Sequence, residues 1–338
     1  MYICMYPQYP LALQVIKWSH PFVELKFERV DCDERPEFSD VGSTVFWKGD
    51  VYVSHLGGNQ LCKYSVTRNT WDDLPTPFQR DTTYYSIAVY QSKLLLIGGT
   101  TAELAKGSCS GKVWEFNESG ESGSIPFKES PTIPPLDGLG KYTNYQLAKL
   151  SVAGGDNYLV VSHRSRRTMI HLEIYDGHSW SGRTCNCSPL CSPSVCSYED
   201  HRLLIHNDTI FMIYLNDVYK ASANLLTTKG SSEGDLWQKL EVLEYVPGCH
   251  NTTIHNGQIV ALYISNYSKE LSCFAFASCP DLQTWMKLGK SKYSSSQCTS
   301  IIGLPDGVLL VLNIKSCNSH ILRIEPQGII YILSLIHI

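Results

Sequence analysis

The chain has 338 residues, 43% of them hydrophobic and 18% charged, with a formal net charge of -4 and a pI near 6.3. That length and apolar fraction exclude a disordered chain and allow a large buried core, and β-rich single domains grow to this size. The low charge and the lack of a long Lys/Arg stripe exclude phosphate-backbone recognition, so nucleic acid is not an expected partner.

At the N-terminus, "MYICMYPQYPLALQVIKW" has no basic leader and is interrupted by Pro7 and Pro10, so it does not read as a secretory signal. The longest apolar runs, "GVLLVLNI" and "GIIYILSLIHI", fall short of the roughly 18 residues that a membrane-spanning helix needs and suit buried strands. No membrane association is expected. With 13 Cys and no leader, the cysteines read as free thiols in a cytoplasmic setting. Sequons at Asn117, Asn186, Asn207, Asn251 and Asn266 point the other way, though a chain rich in Ser and Thr acquires several by chance. "ALQVIKWSHP" around Trp18 reads as a strand, and the acidic run from Glu24 to Asp40 as a connecting loop.

From residue 43 onward a two-strand unit recurs: an apolar stretch, a Gly/Asp/Asn/Lys turn, and a second apolar stretch, as hairpins require. Six copies follow in order: "STVFWKGDVYVSH", "SIAVYQSKLLLIGG", "AKLSVAGGDNYLVVSH", "HRLLIHNDTIFMIYL", "NTTIHNGQIVALYI" and "TSIIGLPDGVLLVLN". Their turns fall near Asp50, Ser92, Asp156, Asp208, Gly257 and Asp306, about 40 to 65 residues apart, the length of one four-stranded propeller blade. Each unit is followed by a third strand carrying an aromatic residue and a fourth beginning near a Trp: Tyr64 with Trp71, Tyr175 with Trp180, Tyr219 with Trp237, and Phe276 with Trp285.

In these features the chain resembles a kelch-repeat β-propeller, of the superfamily shared with galactose oxidase. That repeat carries a Gly pair, a Tyr some residues on, and then a Trp; Gly57, Gly58, Tyr64 and Trp71 match it, and Gly98 and Gly99 with Trp114 and Phe116 match it partly. Elsewhere Ser162 and His163, Tyr214 and Leu215, Ser265 and Asn266, and Asn313 and Ile314 stand where the pair belongs. The resemblance implies an all-β, six-bladed propeller of four-stranded antiparallel blades. Its blades fall at approximately 43–78, 84–130, 144–184, 197–243, 249–290 and 297–334 within a 41–334 domain, and residues 1–40 provide an N-terminal closing strand and acidic loop. The C-terminal "GIIYILSLI" is the rival closing segment. In such a ring the Tyr and Trp residues fill the space between blades, and the glycines let neighbouring backbones approach.

Chemistry-bearing motifs are few. "CNCSPLCSPSVC", with Cys185, Cys187, Cys191 and Cys196, lacks the paired Cys-x2-4-Cys spacing of structural zinc sites and reads as loop thiols. "SCPDLQTW", Ser278 to Trp285, resembles a sialidase box with its Asp displaced and its Gly missing, and reads as a tight turn into a strand. No Tyr, His and cross-linkable Cys arrangement aligns with a copper radical oxidase site. The expectation is therefore a non-catalytic module with no cofactor and no metal, binding a protein or peptide that is acidic or phosphorylated. A small-ligand or carbohydrate-binding propeller and a divergent copper radical oxidase-like enzyme are the alternatives.

In a propeller the second-to-third-strand loops and the blade-to-blade loops share one face. The candidate partner-binding residues there are Arg80, Tyr84, Tyr85, Asn144, Tyr145, Arg164, Arg166, Arg167, Tyr198, His250 and Gln297, because Tyr and Arg supply contact area and directional hydrogen bonds together. Tyr142, Asn59, Asn216 and Tyr267 lie on the same loops. The basic stretch "SHRSRRTMIH" concentrates three guanidinium groups, which grip carboxylate or phosphate in bidentate fashion.

Overall fold

The computed structural model describes residues 13–14, 22–30, 41–55, 58–78, 83–100, 111–117, 125–136, 150–166, 169–186, 201–214, 217–228, 237–240, 251–255, 258–264, 270–279, 282–294, 299–304, 309–313, 320–330 and 334–335. Two strands come first, β1 (Leu13–Gln14) and β2 (Phe22–Val30). The first sheet is β3 (Val41–Trp47), β4 (Asp50–His55), β5 (Leu61–Ser65) and β6 (Thr70–Leu74). The second is β7 (Thr83–Tyr90), β8 (Lys93–Thr100), β9 (Val113–Phe116) and β10 (Phe127–Glu129). The third is β11 (Ser151–Gly154), β12 (Leu159–Arg166), β13 (Met169–Tyr175) and β14 (Trp180–Asn186).

The fourth sheet is β15 (His201–His206), β16 (Thr209–Tyr214), β17 (Asp217–Ser222) and β18 (Gln238–Leu240), with a short helix α1 (Ala223–Thr227) before its last strand. The fifth is β19 (Asn251–His255), β20 (Gln258–Ile264), β21 (Glu270–Cys279) and β22 (Leu282–Ser294). The sixth joins β23 (Thr299–Gly303), β24 (Leu309–Asn313) and β25 (His320–Ile330) to β2, and β26 (Ser334–Leu335) pairs with β1.

Among the described residues each of these four-stranded sheets is antiparallel, with neighbours consecutive in sequence except where β2 joins β25. The first strand of each lies against the first strand of the next, β3 to β7 to β11 to β15 to β19 to β23, and β23 returns to β3. The inner strands therefore encircle an axis and the sheets radiate from it: an all-β propeller with four-stranded antiparallel blades. No described helix is long and apolar enough to cross a membrane.

Closure differs from the expectation in position. The N-terminal strand that completes the last sheet is Phe22–Val30, paired antiparallel with β25 from Phe22↔Ile330 to Val30↔Ile321. From Glu24 onward this strand overlaps the stretch expected as an acidic loop; Trp18, around which the closing strand was expected, is outside the described residues. The reason is visible in "FVELKFERV", where Val23, Leu25 and Phe27 alternate with Glu24, Lys26 and Glu28. Charge at every second position belongs to the wet side of an outer strand as readily as to a loop. The C-terminal stretch supplies the end of β25 and the small β1–β26 pair instead, with Leu13↔Leu335 and Gln14↔Ser334.

The blade-to-blade core is aromatic and aliphatic. Tyr64 pairs with Trp71 across β5 and β6 and Tyr175 with Trp180 across β13 and β14, ring centroids 5.1 Å and 5.2 Å apart. Trp237 packs with Tyr219 in the cluster between the third and fourth sheets, and Phe276 is in register with Trp285. Gly98 and Gly99 take φ of 84° and 100°, a region open to glycine without a Cβ clash. Gly154 serves close approach instead: a Cβ there would fall 2.0 Å from the Val89 carbonyl oxygen of the neighbouring sheet.

Candidate partner-binding face

The two ends of the propeller differ in how firmly they are bonded. At one end lie the turns joining first to second strands. Three have both central residues at positive φ: Lys48 and Gly49, Gln91 and Ser92, Asn207 and Asp208, the type I′ geometry that matches strand twist in two-residue hairpins. These turns are bonded to one another. Trp47 Nε1 donates to the Ser92 carbonyl at 2.8 Å, Gln91 N to the Gly155 carbonyl at 3.2 Å, and Asn157 Nδ2 to Asp208 Oδ1 at 2.9 Å. Tyr158 donates its hydroxyl to Asn224 Oδ1 on α1, and Arg183 donates to the Leu226 and Thr228 carbonyls at 2.6 Å and 2.9 Å. The donors named here are committed to neighbouring sheets.

The inner strands are joined by serines that sequence reasoning passed over. Ser43 Oγ on β3 accepts from Ile87 N on β7 at 2.8 Å, and Ser151 Oγ on β11 accepts from Leu203 N on β15 at 3.0 Å. Ser86 Oγ donates to the Leu150 carbonyl at 2.8 Å, and Thr44 and Ser300 hydroxyls bond across the junction of first and last sheets. Behind them, Ser54 Oγ meets Ser43 Oγ at 2.9 Å, and buried Ser162 Oγ shares a 2.7 Å hydrogen bond with His201 Nε2. Inner strands of adjacent blades form no backbone ladder with each other, so these hydroxyls satisfy amides that face the next blade. A signal was present: "GST", "YSI", "LSV" and "TSI" place a Ser in the same part of four first strands.

The opposite end carries the second-to-third-strand and blade-to-blade connections. Here β12 stays paired with β13 as far as Arg166, with Arg164↔Ile170 and Arg166↔Met169 separated by a bulge. Arg164 and Arg166 are thus strand residues at a hairpin end, where the sequence suggested a projecting loop; Arg167 lies in the connection, outside the described residues. The difference arises because β13 and β14 hold register from Met169↔Asn186 to Tyr175↔Trp180, which props the hairpin up.

Tyr85 is corrected. It is only 1% exposed, packs among Ile87, Leu96 and Phe127, and donates its hydroxyl to the Gln60 carbonyl. Strand alternation turns it into the interblade core, so it is not an accessible contact. Tyr84 adjoins it on β7. Arg80, Asn144, Tyr145, Tyr198, His250 and Gln297 lie outside the described residues, as do Tyr142, Asn216 and Tyr267. Asn59 is half-buried, its carbonyl accepting from Thr76 Oγ1 at 2.9 Å. Of the cysteine cluster only Cys185 and its neighbours at the end of β14 are described, Cys185 opposite Ile170, and the Ser278–Trp285 stretch forms the β21–β22 hairpin, Cys279↔Leu282.

Burial shifts several titratable groups of the described core toward their neutral forms. Burial, reinforced by the hydrogen bond to Asp73 at 2.8 Å, pushes the Cys62 thiol far above its ordinary value. Burial raises Tyr85 likewise, with Cys62 adding to it, and burial raises Glu173 on β13. Asp176 moves the other way, lowered chiefly by the Ser179 amide, which donates to its Oδ1 at 2.9 Å. Among the described residues no three His, Cys, Asp or Glu side chains stand where they can hold a metal ion.

No family model matches the chain, and no curated protein matches it significantly in sequence. A solved structure titled "Structure of YjhT" is similar to it with a TM-score of 0.55 at 12% sequence identity, covering 91% of this chain and 97% of that one. At that identity the likeness speaks to fold, and it agrees with the radial sheets: the chain is a β-propeller built of four-stranded antiparallel blades.

Proposed function

We propose that the chain is a six-bladed, kelch-type interaction module that binds an acidic or phosphorylated peptide of a protein partner without catalysing a reaction. The reading locates the contact on the end that carries the second-to-third-strand and blade-to-blade connections. The observation that carries it is the backbone position of the basic stretch: Arg164 and Arg166 stand on a paired strand, beside a bulge, at the hairpin end of the third sheet. Anchoring guanidinium groups on paired strand rather than loose loop lowers the entropy lost on binding, and Arg is suited to bidentate grip on carboxylate or phosphate. The bonded turns of the other end support the choice of face, since their polar groups already have partners within the ring.

The test is a panel of acidic, phosphorylated and neutral peptides scored by fluorescence anisotropy against the parent and against Arg164→Glu/Arg166→Glu/Arg167→Glu. The proposal expects an acidic or phosphorylated peptide to bind the parent, with affinity falling as salt rises, and the triple variant to lose that binding while keeping its melting temperature. Equal binding by the triple variant at low salt would overturn it.

A further inference from the structure

The two described arginines of the basic stretch do not share a face of the third sheet. Strand β13 keeps unbroken register with β14 from Met169↔Asn186 to Tyr175↔Trp180, so its residues alternate strictly between the two faces. Ile170 and Leu172 belong to the cluster that contains Leu203 and Ile210 of the fourth sheet. Tyr175 belongs to the cluster that contains Leu95 and Ile97 of the second, and alternation puts Met169 on the same face as Tyr175. A side-chain bond fixes the assignment independently: Ser162, in register with Leu172, meets His201 of the fourth sheet at 2.7 Å.

Strand β12 takes its faces from this register. Arg164 is opposite Ile170 and so lies on the face toward the fourth sheet, whereas Arg166 is opposite Met169 and so lies on the face toward the second. Residues two apart in an unbroken strand share a face. Here the bulge adds Ser165 as one extra residue between the two pairs and reverses the second arginine. A single carboxylate or phosphate is gripped by the fork of one guanidinium, so a ligand that engages residues on both faces needs two acidic groups. We infer that the partner presents two separate acidic groups on one extended segment crossing the end of the β12–β13 hairpin, one matched to Arg164 and the other to Arg166. This rests on the reading of that end as the binding face and narrows the ligand from an acidic to a doubly acidic one. An extended chain rises about 3.3 Å per residue and sheet layers are roughly 10 Å deep, so acidic residues about four positions apart reach both sides.

The experiment titrates the full chain with a set of otherwise identical peptides that are acidic at both positions, at the first only, at the second only, or at neither. Each is made with Asp and with phosphoserine, so that the two sets name the acidic group. The proteins are the parent, Arg164→Gln, Arg166→Gln and the double variant, read by fluorescence anisotropy at low salt. With the doubly acidic peptide each single variant is expected to bind roughly 5-fold more weakly and the double variant roughly 25-fold, because independent contacts add in free energy. With a singly acidic peptide only one of the two variants should matter, and which one should switch with the position of the acid. Arg164→Lys and Arg166→Lys keep the charge and are expected to retain most of the affinity, which separates a lost contact from a lost fold. A double variant no weaker than the weaker single one, or a singly acidic peptide weakened by both variants, means that both arginines act on one group; this overturns the inference and leaves the binding face standing. A parent that binds none of the acidic peptides, or binding indifferent to both arginines, overturns the reading of that face and the inference with it.

Discussion

Removing one inner hydroxyl tests whether the serine bonds stabilise the ring. In Ser43→Ala the Ile87 amide loses its 2.8 Å acceptor and is left facing the neighbouring inner strand. Ser54 is less affected, because its hydroxyl still accepts from Ser43 N at 2.8 Å and donates to the Ser43 carbonyl at 3.3 Å. The cost is then that of one stranded buried donor, about 1–3 kcal/mol. Scaling the usual unfolding entropy to 338 residues gives about 0.7 kcal/mol per kelvin, so the melting temperature should fall by roughly 1–4 °C. Urea unfolding followed by Trp fluorescence resolves this range, with Ser179→Ala, on an exposed turn, as a control expected to cost under about 0.5 kcal/mol. A Ser43→Ala midpoint indistinguishable from the control would refute the idea that these hydroxyls satisfy otherwise unpaired amides.

Gly154→Ala should destabilise by roughly 3 kcal/mol or more in the same assay, since the new Cβ would meet backbone 2.0 Å away that has no flexible end to yield; a loss under 1 kcal/mol would mean the sheets can part cheaply. Ser92→Gly should stabilise by about 1 kcal/mol by relieving a positive φ of 60° at a non-glycine residue, while leaving the Ser92 carbonyl to receive Trp47. Cys62 should resist iodoacetamide in the native state at pH 8 and react on unfolding. Because its folded value lies above the ordinary 9.0, its contribution to stability is complete below about pH 9 and is lost as the unfolded thiol ionises above it; Cys62→Ala should flatten that alkaline decline.

The hairpins were legible because each combines two period-two apolar runs with a turn that needs positive φ, and local chemistry sets both. Lys48–Gly49 and Asn207–Asp208 are recognisable turn formers, and their strands follow from Val51 and Val53 or Ile210 and Met212 facing the core. Tyr64–Trp71 was legible for the same reason, as a cross-strand pair a few residues apart. Tyr85 was misjudged because its face depends on strand phase: one residue of shift moves a side chain from solvent to core. Phe22–Val30 was misjudged because its partner β25 lies some 300 residues away in sequence. The serines recur visibly in four first strands, but their bonds were not legible for a related reason, since Ser43 and Ile87 acquire meaning only when two sheets are placed side by side.

That distinction bears on how the ring is closed. At the outer radius the first and last parts of the chain meet through the β2–β25 ladder, whose pairs run nearly the length of both strands. At the inner radius they meet through the hydroxyls of Thr44 and Ser300. The ladder removes an edge that would otherwise present unpaired donors and acceptors to other chains, and it carries most of the closing energy because each pair adds backbone bonds and side-chain contact. A single hydroxyl pair contributes about 1 kcal/mol, too little to close a ring, yet it is satisfied only when β3 and β23 stand in one axial register. The ladder therefore supplies the strength of closure and the hydroxyls its alignment.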